Sequence, residues 1–159
     1  MTSDVLKFGE FNKVFPISEG GLKPIQMASS GVKTRILIGD ADPVYTLGLF
    51  HSLVQAGYEV VVAITGLDAI AELRKADHPL VAILDRKIPG MDAAEICKRM
   101  RDAGKDVYLI LSSEHPTTDE IVAGLEGGAD LYLPKSIPPE ELLAHVKVGV
   151  RIMGRQRDS

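Results

Sequence analysis

Asp40, Asp42, Asp85, Ser112, Ser113 and Lys135 each end or follow a short apolar run, and their types together could do phosphoryl chemistry. Gathered carboxylates favour a hard divalent cation, and Mg²⁺ usually takes one or two carboxylates plus phosphate oxygens. A hydroxyl and an ammonium suit the oxygens of a phosphoryl group. An aspartate can itself accept that group. Taken singly, each residue has an ordinary explanation; Asp85, for instance, could end a strand or cap a helix. The elements that carry these residues decide whether they meet.

Those elements alternate regularly from Arg35 onward. Val81-Ala82-Ile83-Leu84 is a continuous apolar run ended by Asp85, the pattern of a strand buried on both faces of a parallel sheet. Apolar runs at 35–39, 58–64, 107–112 and 131–133 complete a set of five predicted strands. Helical stretches follow at 44–56, 66–76, 93–103, 117–126 and 140–153. The first of these carries Val44, Leu47, Leu49, Phe50 and Leu53, with Asp42 as N-cap and Pro43 in its first turn. Gly57, Gly104 and Gly127-Gly128 end elements, and Pro89-Gly90 and Pro138-Pro139 turn the chain. Five βα repeats with short connections predict an α/β fold: a doubly wound, five-stranded parallel sheet of order 2-1-3-4-5, flavodoxin-like, with helices on both faces. In that order the strands ending at Asp40, Asp85, Ser112 and Lys135 are neighbours, at the carboxyl edge where open α/β sheets place ligands.

Composition bounds the function. At 159 residues, 45% apolar and 25% charged, the chain reads as about one ordinary globular domain. A net charge of −4, with no basic block in the main body, gives no reason to expect nucleic acid as a direct partner. The single cysteine, Cys97, excludes an internal disulfide framework and fits a reducing, cytoplasmic setting. No apolar run is long enough to span a bilayer, and no secretion signal opens the chain. Neither a Gly-x-Gly-x-x-Gly after the first strand nor a Gly-x-x-x-x-Gly-Lys-Ser/Thr motif is present, so nucleotide-cradling loops are unsupported. Residues 1–33 stand apart as an N-terminal extension. Phe8, Phe11 and Phe15 lie there at helical spacing, followed by Gly and Pro breakers, which reads as a loose tail or an apolar docking arm. The domain proper is expected at 34–154, with a tail at 155–159.

Residues 35 to about 153 resemble the receiver domain of response regulators, the phosphoacceptor half of two-component signalling. Leu84-Asp85-Arg86-Lys87-Ile88-Pro89-Gly90-Met91-Asp92 and Gly128-Ala129-Asp130-Leu131-Tyr132-Leu133-Pro134-Lys135 carry the resemblance. It implies that Asp85 is phosphorylated, and that Mg²⁺ is held by Asp40, Asp85 and the main-chain carbonyl of Lys87. It further implies that Ser112 and Lys135 engage the phosphoryl oxygens and that Tyr132 reports phosphorylation by rotating. The implied partners are a sensor histidine kinase or phosphotransfer protein and a downstream protein or effector domain; a homodimer is also compatible. On this expectation the chain is no stand-alone enzyme, but a receiver that at most phosphorylates and dephosphorylates itself. Little sequence follows Met153, so it reads as a single-domain regulator or as part of a longer one.

The sequence departs from the family pattern in places. Receivers usually carry two adjacent acidic residues after the first strand, the second binding the metal directly, and Ala41 stands at that second position. Asp42, one residue on, is a candidate replacement ligand. Ser136 stands where the family has proline, and Ala93 where it has glycine. Two further readings follow. In one, the missing acid makes this a metal-poor receiver acting as a phosphorylation-independent interaction module. In the other, Asp40-Ala41-Asp42-Pro43-Val44 resembles the nucleophile loop of haloacid-dehalogenase-type phosphatases. That last reading leaves the 85–92 motif unexplained.

Overall fold

The computed structural model describes residues 5–6 and 33–158. Its strands are β1 (Val5–Leu6), β2 (Arg35–Gly39), β3 (Glu59–Ala63), β4 (Val81–Asp85), β5 (Tyr108–Ser113) and β6 (Leu131–Pro134). Its helices are α1 (Pro43–Gln55), α2 (Gly66–Leu73), α3 (Ala93–Asp102), α4 (Thr118–Glu126) and α5 (Pro139–Asp158). Strands β2 to β6 are parallel to their neighbours, in the order β3-β2-β4-β5-β6. Counted from Arg35, this is the expected 2-1-3-4-5 order. The sheet has one more strand than expected: β1 pairs antiparallel with the outer edge of β3, placing Val5 opposite Ala63 and Leu6 opposite Val62. The expected Phe8, Phe11 and Phe15 arm lies outside the described residues.

The apolar runs are continuous because both sheet faces are covered. Leu37, Val61, Leu84, Leu109 and Leu111 point to one layer, packed with Ile70, Ile96 and Met100 from α2 and α3. Their sequence neighbours Ile36, Ile38, Val60, Val62, Ile83 and Ile110 point the other way, onto Phe50, Leu53, Leu142 and Val146 of α1 and α5. This period-two split follows from alternating Cβ directions in a strand. Each such aliphatic side chain, once fully buried, contributes roughly 1.5–3 kcal/mol.

Local sequence sets the helix starts. Asp42 accepts the Val44 and Tyr45 amides, Thr65 caps α2, Asp92 caps α3, and Thr117 with Glu120 forms a capping box on α4. These caps satisfy amides that no helical carbonyl can reach. Three boundaries or faces differ from the sequence expectation. Helix α2 ends at Leu73 rather than near 76: Arg74 donates the last α-type bond to Ile70 O, and Lys75 closes in a tighter turn onto Glu72 O. Helix α5 runs on to Asp158; Gly154 costs only about 1 kcal/mol in a helix, and the basic residues around it favour a helix C-terminus. On α1, Val44 is exposed and Thr46 takes the buried place, its hydroxyl donating to the Asp40 carbonyl at 3.5 Å.

Candidate phosphoryl and metal site

The carboxyl edge of the sheet brings Asp40, Asp85, Ser112 and Lys135 together. Asp40 directly follows β2, its amide donating to Ala63 O at 3.0 Å, and its side chain is almost fully buried. Its Oδ1 accepts the Asp42 amide at 2.9 Å and its Oδ2 lies 2.7 Å from Lys135 Nζ. Lys135 follows β6 and is anchored by its amide to Ser113 O at 2.8 Å. The same ammonium lies 3.4 Å from Asp85 Oδ2. One buried lysine therefore bridges the two carboxylates.

Asp85 ends β4 with 24% of its side chain exposed, so one flank of the carboxylate faces solvent while the other is held. Ser112 is its direct register partner on β5. The Ser112 hydroxyl donates to Leu84 O at 3.4 Å, and its carbonyl accepts the Arg86 amide at 2.8 Å. Lys87, in the loop after β4, donates its amide to Asp85 Oδ1 at 3.4 Å. Gly90 takes φ +88° three residues later, a conformation that favours glycine and lets the loop turn back toward α3.

Burial shapes the electrostatics. Loss of water raises the Asp40 carboxyl above its ordinary value, by more than Lys135 and the Asp42 amide return. The same loss of water works against charge on Lys135, but the hydrogen bond and charge of Asp40, and then Asp85, outweigh it and raise the lysine. The ammonium is held charged beside the partly exposed Asp85 carboxylate.

The other residues singled out from the sequence fall around this core. Asp42 is exposed, and its Oδ1 is engaged by the Val44 and Tyr45 amides. Asp40 and Asp42 thus point to different tasks, one into the site and one into the helix cap. Ala41 brings no oxygen, and among the described residues no group of three or more acidic, histidine or cysteine side chains gathers as a metal site. Tyr132 is turned inward, 8% exposed, against the α2–α3–α4 layer. Its hydroxyl lies near Ser113 without reaching hydrogen-bond geometry with any described group. The Lys135–Ser136 peptide is trans. Cys97 is fully buried in the core.

Sequence reasoning missed two contacts. Arg86, next to Asp85, pairs with Glu120 of α4 at 3.4 Å, tying the acceptor loop to that helix. Tyr45, in the first turn of α1, lies under Lys135, whose Nζ is 4.6 Å from the ring centroid. The available signal was positional: the first turn of α1 begins at the strand edge that holds the site. Tyr45 and Lys135 also border an apolar groove of about 430 Å³ between α1 and α5, with Leu49, Leu53, Leu142 and Leu143 in its lining.

The fold has counterparts among known proteins. The response regulator receiver domain family matches residues 36–147. The response regulator MprA of Mycobacterium ulcerans (strain Agy99) is 37% identical over 120 residues, covering 76% of this chain and 51% of MprA. The chain spans about half the length of the curated relatives it matches. Among solved structures, a putative response regulator from Chloroflexus aurantiacus J-10-fl is 32% identical with a TM-score of 0.70, covering 76% of this chain and 99% of that one. The receiver domain of the putative response regulator NarL from Mycobacterium tuberculosis is 30% identical with a TM-score of 0.69, covering 76% and 98%.

Proposed function

The chain belongs to the response regulator receiver family of two-component systems, and from that premise we propose that it is a phosphorylation-dependent switch with Asp85 as acceptor. The observation that carries this reading is the Lys135 ammonium set between buried Asp40 and half-open Asp85. In the transfer, a carboxylate oxygen of Asp85 attacks phosphorus and a new O–P bond forms. The bond from phosphorus to the donor's leaving atom breaks, and its electron pair departs with that atom. Lys135 neutralises charge on the transferred oxygens, and Ser112 turns its hydroxyl from Leu84 O toward them. The product adds negative charge beside α4, and Tyr132, already turned inward, is held there by the engaged Ser112 loop as the protein-binding surface changes.

The donor set fits Mg²⁺, which accepts one or two carboxylates and keeps several waters. Asp40, Asp85 and the Lys87 carbonyl would hold it. When bound it screens the charge of the incoming phosphoryl group. The upstream partner on this reading is a sensor histidine kinase or phosphotransfer protein in the cytoplasm, and the downstream one is a protein or effector domain. Among the described residues no helix is long and apolar enough to cross a membrane.

The test is labelling with a small phosphodonor and Mg²⁺. Acid-labile label should form on the wild type and vanish in Asp85→Asn with the fold intact. Label that persists in Asp85→Asn, on Asp40 or Asp42, sinks the assignment and favours a phosphatase-like loop. A second reading, a metal-poor interaction module that works without phosphorylation, draws on Ala41 and on the engaged Asp42 carboxylate. Absence of both Mg²⁺ binding and label in the wild type would favour it.

A further inference from the structure

Tyr45 borders the site from the first turn of α1. Lys135 Nζ sits 4.6 Å from its ring centroid, inside the roughly 6 Å range of a cation–π contact. The lysine side chain is only 6% exposed, so that contact is desolvated and correspondingly strong. The Tyr45 hydroxyl faces the Ser112 side chain, and the phenol also senses the charges of Asp40 and Asp85. Burial pushes this phenol up to about 12, so it remains an O–H donor at neutral pH. Its position is fixed from below, because the Asp42 cap holds the Tyr45 amide at 3.3 Å.

We propose that Tyr45 is a positioning residue for phosphoryl transfer: its ring aims the Lys135 ammonium between Asp40 and Asp85, and its hydroxyl, beside Ser112, gives the phosphoryl oxygens a second O–H donor. The hydroxyl part rests on the reading of Asp85 as acceptor; the ring part stands on the ground-state geometry. No bond to Tyr45 forms or breaks. The aromatic face has a specific use here. A ring quadrupole supplies attraction for the ammonium without adding negative charge that the phosphoryl group would have to oppose.

The experiment compares the wild-type chain with Tyr45→Phe, Tyr45→Leu and Asp85→Asn. The first readout is the ε-methylene resonance of Lys135 in protein carrying isotope-labelled lysine. It should be ring-current shifted in wild type and Tyr45→Phe, and should return to the ordinary lysine position in Tyr45→Leu. The second is label from acetyl phosphate with Mg²⁺. Tyr45→Leu should label about tenfold more slowly, the effect expected of a desolvated cation–π contact. Tyr45→Phe should label at nearly the wild-type rate and lose its label several-fold faster. An unshifted Lys135 in wild type overturns the proposal, as does a Tyr45→Leu variant that labels at the wild-type rate. Equal label lifetimes in wild type and Tyr45→Phe overturn the hydroxyl's part. If wild type and Asp85→Asn alike take no label, the acceptor reading fails and the hydroxyl's part with it; the lysine resonance then decides the ring's part alone.

Discussion

Arg101 Nη2 lies 2.7 Å from Asp130 Oδ2, and that same carboxylate oxygen accepts the Leu109 amide at 2.8 Å. The guanidinium also donates to Gly128 O at 3.0 Å and Val107 O at 2.9 Å. One side chain on α3 thus ties together the entries to β5 and β6. Arg101→Ala should lower unfolding stability by about 2 kcal/mol, since it strips several charge-assisted hydrogen bonds from partly buried partners. Urea unfolding checks this; a change below about 0.5 kcal/mol would place the clamp among ordinary surface pairs.

The same contact bears on self-association. Receivers that dimerise through the fourth helix, last strand and last helix use acidic residues before the aromatic and an arginine in the last helix. Here Leu131 and His145 stand at two of those positions, and Asp130 is engaged within its own chain. Any dimer of the phosphorylated chain should therefore form without Asp130, with Leu131 as an apolar contact. Sedimentation of Asp130→Asn and Leu131→Ser checks it: Leu131→Ser should weaken a dimer and Asp130→Asn should leave it intact.

Charge counting sets the expectation at position 41. Water can fill a coordination position on Mg²⁺ but cannot replace a lost negative charge. Ala41→Asp should tighten Mg²⁺ binding, speed labelling of Asp85, and lower stability without metal because like charges crowd the site. Asp42→Ala should cost about 1 kcal/mol through the lost cap and leave Mg²⁺ affinity nearly unchanged. Calorimetric titration of both variants decides. Unchanged affinity in Ala41→Asp together with collapse in Asp42→Ala would make Asp42 the displaced ligand.

Cys97 offers a pH test. Burial pushes its thiol up from 9.0 to about 12, so above pH 9 the unfolded chain loses a proton that the folded chain keeps. The unfolded state then binds fewer protons, and stability falls as pH rises, by about 1.4 kcal/mol per unit. Between pH 9 and 10 the four raised tyrosines begin to act in the same direction, so Cys97→Ala should reduce that slope without abolishing it. At pH 8 the native thiol should resist a disulfide reagent and react fully in urea.

Gly124 on α4 is the seat of Tyr132. A Cβ there would stand 2.7 Å from Tyr132 Cδ2 and 3.1 Å from Leu111 Cδ1. Gly124→Ala gains about 1 kcal/mol of helix propensity and meets an overpacking cost of about 1–3 kcal/mol. It should destabilise the chain modestly and turn Tyr132 outward without phosphorylation. Tyrosine ring resonances and quencher access report the rotation; a ring still buried in Gly124→Ala would sink the idea.

The five βα units were legible because the strands are apolar runs, four helices start on a side chain able to cap them, and the fifth starts at Pro138-Pro139. The four-residue site was legible for the same reason, since topology alone brings those strand ends together. Strand β1 was not, because two residues carry no period and its pairing depends on a distant edge. Val44 misled because an apolar residue in a first helical turn can face water, and neither helix period nor hydropathy says which way the turn faces. Tyr45 and the Arg86–Glu120 pair were hidden for a related reason. Their meaning lies in a neighbour more than thirty residues away, and nothing local distinguishes them from other aromatic or charged helix positions.

Asp85 and Ser112 face each other as register partners on adjacent parallel strands, so the sheet's own repeat of about 4.8 Å fixes their separation. The connecting loops and outer helices have no part in setting it. Side chains on α4, α5 and those loops can therefore change without moving the pair. On the proposed reading, such a chain can change its partners while the spacing its chemistry needs stays calibrated. Swapping whole βα loops between such chains should therefore exchange partners more readily than it changes turnover of the phosphoryl group.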